Sequence, residues 1–440
     1  MIRTTNHTFH KWANTGKIDK LNLFLIECHK TAQIYLDYLW DNKIDYTIKD
    51  KPQFFDIKND DLDIPSMLSN VDIESKIGSN IFNDNPLSGR VRKCILTQVC
   101  GILGASCEKQ RKRLFVFNSL CEEGFYNEKL YEKIQQNIPV KPNIENINFE
   151  FNSICCDYEK SENSTSFNGY IQLSSLGKGF GKIRIPIKFH RMNKKYKDWE
   201  MKPSFLIGKD FINIRWEKKE PELRTEGKTL GADQGAKTVI SLSDRQVSSP
   251  NKDGYDLNKV MDIMSRKRKG SKAFRKAQAH RKNIIHWSIN QLNLDGIKEI
   301  KLEEVINIGY KNPMGRKMSH WTNTIIRDKL IDRGLLLGVQ VVLQSSTYRS
   351  QRCSNCGLVH KSNRKGKYYC CSNCGFEEDA DYNASLNHEA TLPDIPVCLR
   401  RLNLNRTGFF WKEDGFYDLD GVQFTVELGP ENKYILQRIC

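Results

Sequence analysis

Hydrophobic positions along the chain change their period near residue 165. In "LNLFLIECHKTAQIYLDYLW" (21–40), apolar side chains recur at Leu21, Phe24, Leu25, Cys28, Ala32, Tyr35, Leu36 and Leu39. That spacing predicts a helix with one buried face. Residues 45–85 turn acidic and carry Pro52, Pro65 and Asn/Asp clusters, which predicts a solvated loop or insertion with short elements. A second helical stretch is expected over 91–120, with "KQRKR" at 109–113 on or beside it. Beyond the change of period, "KIRIPIKFH" (182–190) alternates Ile183, Ile185, Ile187 and Phe189 with other residues, and "FINIRW" (211–216) does likewise. Period two predicts strands.

The second half alternates strands with helices. "TLGADQGAKTVISLSD" (229–244) reads as a strand, a glycine turn and a second strand, followed by a helical, basic region. "GIKEIKLEEVINIG" (296–309) is a strand ending in acids; a helix around 320–338 and the strand "GVQVVLQ" (338–344) follow. This order is an α/β signature. Near the end, "DLDGVQFTVEL" (418–428) alternates Val422, Phe424, Val426 and Leu428 after an Asp-Gly turn, which predicts a hairpin.

Composition adds a partner class. The chain has 440 residues, 39% of them hydrophobic, enough to bury more than one core. A mean hydropathy of -0.59 and the lack of an apolar run near 20 residues argue against a transmembrane helix. The first residues, "MIRTTNHTFHKWANTGK", contain no apolar signal core, so the protein reads as intracellular. Sixty-nine Lys and Arg against 53 Asp and Glu leave a net charge of +16, which fits a polyanionic partner such as nucleic acid. Between Met264 and Gln291 lie Arg266, Lys267, Arg268, Lys269, Lys272, Arg275, Lys276, Arg281 and Lys282, with no acid among them. They are candidate phosphate contacts, although a solvated basic helix face has the same pattern.

Two chemistries then crowd one short segment. In "CSNCGLVHKSNRKGKYYCCSNCGFEEDADYNAS" (353–385), Cys353 and Cys356 are spaced x2, as are Cys371 and Cys374. Each CxxC turn lets two sulfurs reach one ion, and Gly357 and Gly375 suit the tight knuckle. Four thiolates fill a tetrahedral Zn2+ shell and leave no position for water, so this zinc would be structural. Cys370 would need a partner at position 373, which is Asn373, so Cys371 is the better ligand; His360 is a weaker substitute. The other ten of the fourteen cysteines are unpaired at metal spacing and read as ordinary thiols.

Carboxylates suit a harder ion. Asp233, Glu303 and Asp381 lie on or beside strands or a helix start in the α/β region. Two divalent cations about 3.5–4 Å apart can clamp a scissile phosphate, and their oxygen ligands converge from separate elements. "GADQG" surrounds Asp233 with small residues in a strand, where Asp is disfavoured. Strand phase leaves Glu303 and Glu304 as alternatives, and Asp381 competes with Asp379, a possible helix N-cap.

With these residues in view, the chain resembles the RNA-guided DNA endonucleases of the TnpB family, which includes transposon-encoded nucleases, their eukaryotic relatives and miniature type V CRISPR effectors. The match covers about residues 225–390. "GADQG" is similar to the first RuvC motif, with Asp233 as its catalytic acid, and "IKLEEV" to the second, with Glu303. "TYRSQRCSNCG" and "YYCCSNCG" resemble the entry and exit of the zinc ribbon, and "DADYNAS" the third motif, with Asp381.

The resemblance implies a multidomain α/β protein with a β-barrel. A wedge-like β-barrel would occupy 1–20 and 140–225, with a helical recognition segment at 21–139. A RuvC, RNase H-like nuclease would run over 226–345, with its basic helical region at 256–292, and resume at 377–395. A zinc ribbon would be inserted at 346–376, and 396–440 would form a C-terminal extension. The resemblance further implies two catalytic Mg2+ held by Asp233, Glu303 and Asp381, one structural Zn2+ on Cys353, Cys356, Cys371 and Cys374, and guide RNA and target DNA as partners. It allows either a monomer or a homodimer. Competing readings are a guide-independent nuclease or resolvase of the same fold, an RNA-guided DNA-binding protein that has lost catalysis, and a DDE-type transposase. Dependence of cleavage on RNA, an intact acid triad and the absence of strand transfer separate these from the endonuclease.

Overall fold

The computed structural model describes residues 1–10, 14–45, 56–57, 74–75, 77–122, 128–129, 141–162, 166–248, 250–251, 253–305, 315–428 and 434–439. It divides into two compact units, residues 1–219 and 220–440. Among the described residues no helix is long and apolar enough to cross a membrane.

The first unit contains β1 (Ile2–Thr8), the helices α1 (Lys17–Lys43) and α2 (Gly89–Glu122), then β2 (Phe149–Phe151), β3 (Cys156–Lys160), β4 (Gly169–Leu173), β5 (Ile183–Ile187), β6 (Glu200–Ile207) and β7 (Phe211–Glu217). Every apolar residue that marked the face of α1, from Leu21 to Leu39, is buried. The helix packs against α2 and β5. Strands β1, β7, β6 and β2 form one antiparallel sheet, and β3, β4 and β5 another. Both sheets and both helices contribute to one core, through Phe24, Ile95, Phe149, Ile185 and Ile214 among others. No ladder joins the two sheets into a closed barrel among the described residues. Most of the stretch 45–85 and the side chains of "KQRKR" lie outside the described residues.

The second unit is built on β8 (Lys228–Gln234), β9 (Ile240–Leu242), α3 (Leu257–Ser265), α4 (Lys272–Gln291), β10 (Ile297–Glu304), α5 (Asn323–Leu337) and β11 (Gln340–Ser345). The strands lie in the order β9-β8-β10-β11. β8 and β11 run parallel to β10, whereas β9 is antiparallel to β8. Alternation along a strand assigns each residue a face. Leu230, Ala232, Ile300 and Leu302 pack with Leu257, Met261, Ile285, Ile289, Ile326 and Leu330 of α3, α4 and α5.

The intervening residues turn the other way, toward a helix that arrives from the cysteine segment. That segment contributes β12 (Leu358–Val359), β13 (Arg364–Lys365), β14 (Tyr368–Cys370) and β15 (Glu377–Asp379), and β15 runs directly into α6 (Ala380–Glu389). α6 packs across β8, β9 and β10. The contact is close because Gly231 has no side chain: a Cβ there would lie 1.9 Å from the Ser385 carbonyl oxygen and 2.3 Å from the Glu389 nitrogen. The result is a sheet covered on both faces.

The chain ends with α7 (Val397–Arg401), β16 (Phe409–Lys412), β17 (Gly415–Tyr417), β18 (Gln423–Leu428) and β19 (Tyr434–Arg438). The expected hairpin is β17–β18, with Phe416 opposite Phe424. It belongs to a larger sheet in the order β12-β16-β17-β18-β19, so the terminal strands extend a ladder begun in the cysteine segment. Val359, Leu399, Phe409, Trp411 and Phe424 form its core. The sequence did not reveal this pairing, because β12 is two residues long and carries no period.

Gly231→Ala should force α6 off the sheet and destabilise the second unit by about 1–3 kcal/mol or more. Gly101, on α2, has nothing within 4 Å of its Cβ direction. Gly101→Ala should therefore be neutral or slightly stabilising. Urea unfolding of both variants checks the pair; equal stability would contradict the close approach.

Candidate functional site

Strand register brings two acids together. Ala232 pairs with Leu302 on the neighbouring parallel strand, so Asp233 and Glu303, each one residue further, stand side by side on the α6 face. Glu303 is fixed by its neighbour: its Oε1 accepts from the Gln234 backbone N–H at 3.0 Å, and its carbonyl accepts from Gln234 Nε2 at 3.0 Å. Glu304 falls on the opposite phase and is more exposed, and it too lines the cavity described below.

The third acid comes from α6. Asp379 is the N-cap of this helix and accepts from the N–H groups of Asp381 and Tyr382. Asp381, in the first turn, is 4% exposed. Its carboxylate accepts from Arg364 at 3.1 Å and from the Lys367 ammonium, both supplied by the cysteine segment. Asp233, Glu303 and Asp381 line one cavity of about 890 Å³. The remaining cationic lining comes from Lys237, Arg364, Lys367 and Arg400, the last from α7. None of these four was singled out in the sequence, where each is one common cation among 69.

The acids stand in different electrostatic settings. Asp233 is 8% exposed, and its burial, followed by the nearby Glu303 charge, pushes its carboxyl well above the ordinary range against the pull of Arg364 and Lys367. Burial raises Glu303 to about 7, despite the Gln234 N–H and the Arg364 charge that favour its ionised form. His388, in the last turn of α6, also lines the cavity and is 1% exposed. Ligand atoms of Asp233, Glu303 and His388 all lie within 4.8 Å of one another. Two buried carboxylates in contact destabilise one another unless a cation joins them. The oxygen-rich donor set therefore fits a divalent ion, with Asp381 drawn toward Arg364 and Lys367.

The four cysteines form the other cluster. Sγ atoms of Cys353 and Cys374 are 3.7 Å apart and those of Cys356 and Cys371 3.6 Å apart. A tetrahedral Zn2+ with bonds of about 2.3 Å separates its sulfurs by about 3.8 Å, so the donor set fits. The two knuckles repeat one geometry: Gly357 donates to Cys353 at 2.9 Å and Gly375 to Cys371 at 3.0 Å. Both glycines have positive φ, 84° and 69°. Cys370 lies outside the cluster and contacts Glu377, and His360 caps a short 3-10 turn.

Hydrogen bonds connect the two sites. Asn383 accepts from the Ser354 N–H at 3.0 Å and donates to the Arg352 carbonyl at 2.8 Å. Asn387 donates to the Arg349 carbonyl at 3.0 Å and the Arg352 carbonyl at 2.7 Å, and accepts from Arg352 at 2.5 Å. Both asparagines are fully buried. The start of the cysteine segment is thereby tied to the helix that carries Asp381.

The basic stretch lies away from this cavity, none of its nine residues being among the lining. Arg266, Lys267, Arg268, Lys269, Lys272, Arg275, Lys276 and Lys282 are exposed. Arg266 pairs with Asp262. Arg281 does not join the exposed row: it is half-buried and donates to the His320 carbonyl.

Comparison with known proteins finds similarity over part of the chain. Residues 325–388, which include the cysteine cluster and Asp381, match the family model "Cas12f1-like, TNB domain". The chain is 32% identical over 123 residues to the CRISPR-associated endodeoxyribonuclease Cas12f1 of Sulfoacidibacillus thermotolerans, covering 28% of each protein. It is 30% identical over 122 residues to the enzyme of the same name from Syntrophomonas palmitatica, covering 27% of this chain and 23% of that one. The chain thus spans about a quarter of the length of the curated relatives it matches. A cryo-EM structure of a Cas12f1-sgRNA-target DNA complex aligns with 89% of this chain and 99% of its own at 10% identity, with a TM-score of 0.45. Over residues 325–388 the chain is thus similar to the Cas12f1-like TNB domain, the segment in which the cysteine motifs and "DADYNAS" carried the resemblance.

Proposed function

We propose that the chain is an RNA-guided DNA endonuclease that hydrolyses phosphodiester bonds in the cavity of the second unit. The observation that carries this reading is the convergence of Asp233, Glu303 and Asp381 in one cavity from segments 70 and 78 residues apart. Mg2+ ions bound there by the three carboxylates would activate a water molecule and stabilise the leaving oxygen. Gln234 holds Glu303 in place for that task, and the sheet holds Asp233 beside it. Arg364 and Lys367 pair with Asp381 and stand at the cavity wall, where they can also face the charge of a bound phosphate.

The cysteine cluster holds a structural Zn2+ that keeps the segment bearing Arg364 and Lys367 in shape. Sequence recognition belongs to the guide RNA, with the protein gripping the hybrid through its phosphates. The exposed basic residues between 266 and 282 supply one such grip. The first unit offers another in a cavity of about 740 Å³ lined by Tyr158, Phe189, Tyr196 and Trp216 together with Arg191, Lys194 and Lys197. Aromatic faces beside cations suit unpaired bases and their phosphates. Its two sheets, over 1–20 and 140–225, play the part of the wedge, and the helices within 21–139 that of the recognition segment. In the last 45 residues, Arg400 extends the cationic wall and the strands complete the sheet of the ribbon.

With copurified RNA and Mg2+, Asp233→Ala should slow cleavage of guide-matched DNA by about a thousandfold or more. RNase treatment should abolish cleavage by the wild-type protein; RNA-free protein cutting equally well would overturn the guided reading. Asp233→Asn should also be inactive, yet unfold without added Mg2+ at the same or a higher temperature than wild type, because it removes a buried carboxyl whose ionised form its surroundings disfavour. Elemental analysis should find one zinc per chain, lost in Cys371→Ser and kept in Cys370→Ser. Equal zinc in the two variants would overturn the ligand assignment.

A further inference from the structure

The acids account for the oxygen ligands of the cavity but leave His388 without a role. It is 1% exposed, and its Nδ1 has no hydrogen-bond partner. Buried imidazoles are normally satisfied on both sides, and nothing about a helix packed on a sheet calls for a histidine at that position. One ring nitrogen nevertheless stands within 4.8 Å of a carboxylate oxygen of both Asp233 and Glu303. An ion with bonds of about 2.1 Å places opposite ligands about 4.2 Å apart, so a small rotamer adjustment gathers all three. The backbone at His388 is held in place, since its carbonyl carbon would be 2.8 Å from a Cβ on Gly231 and Asn387 beside it is locked to Arg349 and Arg352. The charged groups facing the imidazole are the two acids across the cavity and Arg349 behind it.

We propose that His388 is a nitrogen ligand of the divalent ion held between Asp233 and Glu303, and that it biases this position toward Mn2+ over Mg2+. The proposal rests on the metal-dependent reading of this cavity. Carboxylate and water ligands alone serve Mg2+, Ca2+ and Mn2+ alike, whereas an imidazole favours transition ions over the harder cations. A mixed nitrogen and oxygen set at one position, with Asp381 offering oxygen on the other side of the cavity, would make the two ion positions chemically unequal.

The test uses the full-length, zinc-loaded protein without nucleic acid. Pulsed EPR of the Mn2+-loaded wild type should show 14N coupling to the bound ion. Asp233→Ala should lose that ion, which assigns the signal to this cavity. In His388→Leu and His388→Gln the coupling should vanish and Mn2+ affinity should fall about tenfold or more, with Mg2+ affinity by calorimetry changing less than about threefold. Bound Mn2+ with no nitrogen coupling in the wild type would overturn the assignment, and that measurement needs no variant. So would a His388→Leu protein of unchanged melting temperature that keeps wild-type Mn2+ affinity. Cleavage assayed in parallel separates the two readings. A protein that binds Mn2+ through nitrogen but cuts no DNA leaves this assignment standing and removes the nuclease; one that cuts with an oxygen-only ion does the reverse.

Discussion

The close approach of α6 to β8 is the constraint on which the rest of the second unit depends. At Gly231 the strand presents only backbone, so the helix settles against the sheet with Ser385 and Glu389 in direct contact with it. Residues seven apart on a helix share a face two turns, about 10 Å, from one another. That spacing puts Asp381 at one end of the contact and His388 at the other, with Asp233 and Glu303 on the sheet beneath. A larger residue at 231 would lift all of α6, so the geometry of the cavity follows from one missing side chain.

Packing of this kind imposes an electrostatic penalty that the fold does not fully relieve. The end of β8 lies between two neighbouring strands and under α6, so its last residues are buried, polar ones included. Asp233 and Glu303 are thus adjacent and poorly hydrated, and burial raises both carboxyls against the pull of Arg364. Arg364 and Lys367 offset the charge of Asp381 directly and that of the other two at longer range.

Much of this was legible in the sequence, for physical reasons. The face of α1 and the alternation of β5 and β7 could be read because burial repeats with the period of the backbone. The two CxxC pairs could be read because a metal shell restricts spacing more tightly than packing does. Asp233 stood out as a carboxylate where strand propensity opposes one. Choosing Glu303 over Glu304 was different: the residues left both open, and only the motif resemblance favoured the first. The structure sets Glu303 beside Asp233 through the parallel register with β8, which no local pattern encodes. Arg364, Lys367, Arg400 and His388 were invisible for a related reason. Each is a single common residue whose meaning depends on what the tertiary fold sets opposite it. Asn383 and Asn387 belong to the same class, since a buried asparagine is distinguished from a solvated one only by its partners.

Those asparagines explain why a thiolate site lies directly against an acidic one. The first knuckle holds Cys353 between Arg352 and Ser354, whose backbone groups are the ones bonded to Asn383 and Asn387. The second knuckle lies between β14 and β15, and β15 continues without a break into α6. An ion on the four sulfurs would therefore fix both the start of the segment, through side-chain hydrogen bonds, and its end, through the covalent chain. Between those anchors lie Arg364 and Lys367, which reach into the cavity. An ion held there would stiffen the segment between its anchors, and with it the part of the cavity wall that Arg364 and Lys367 form.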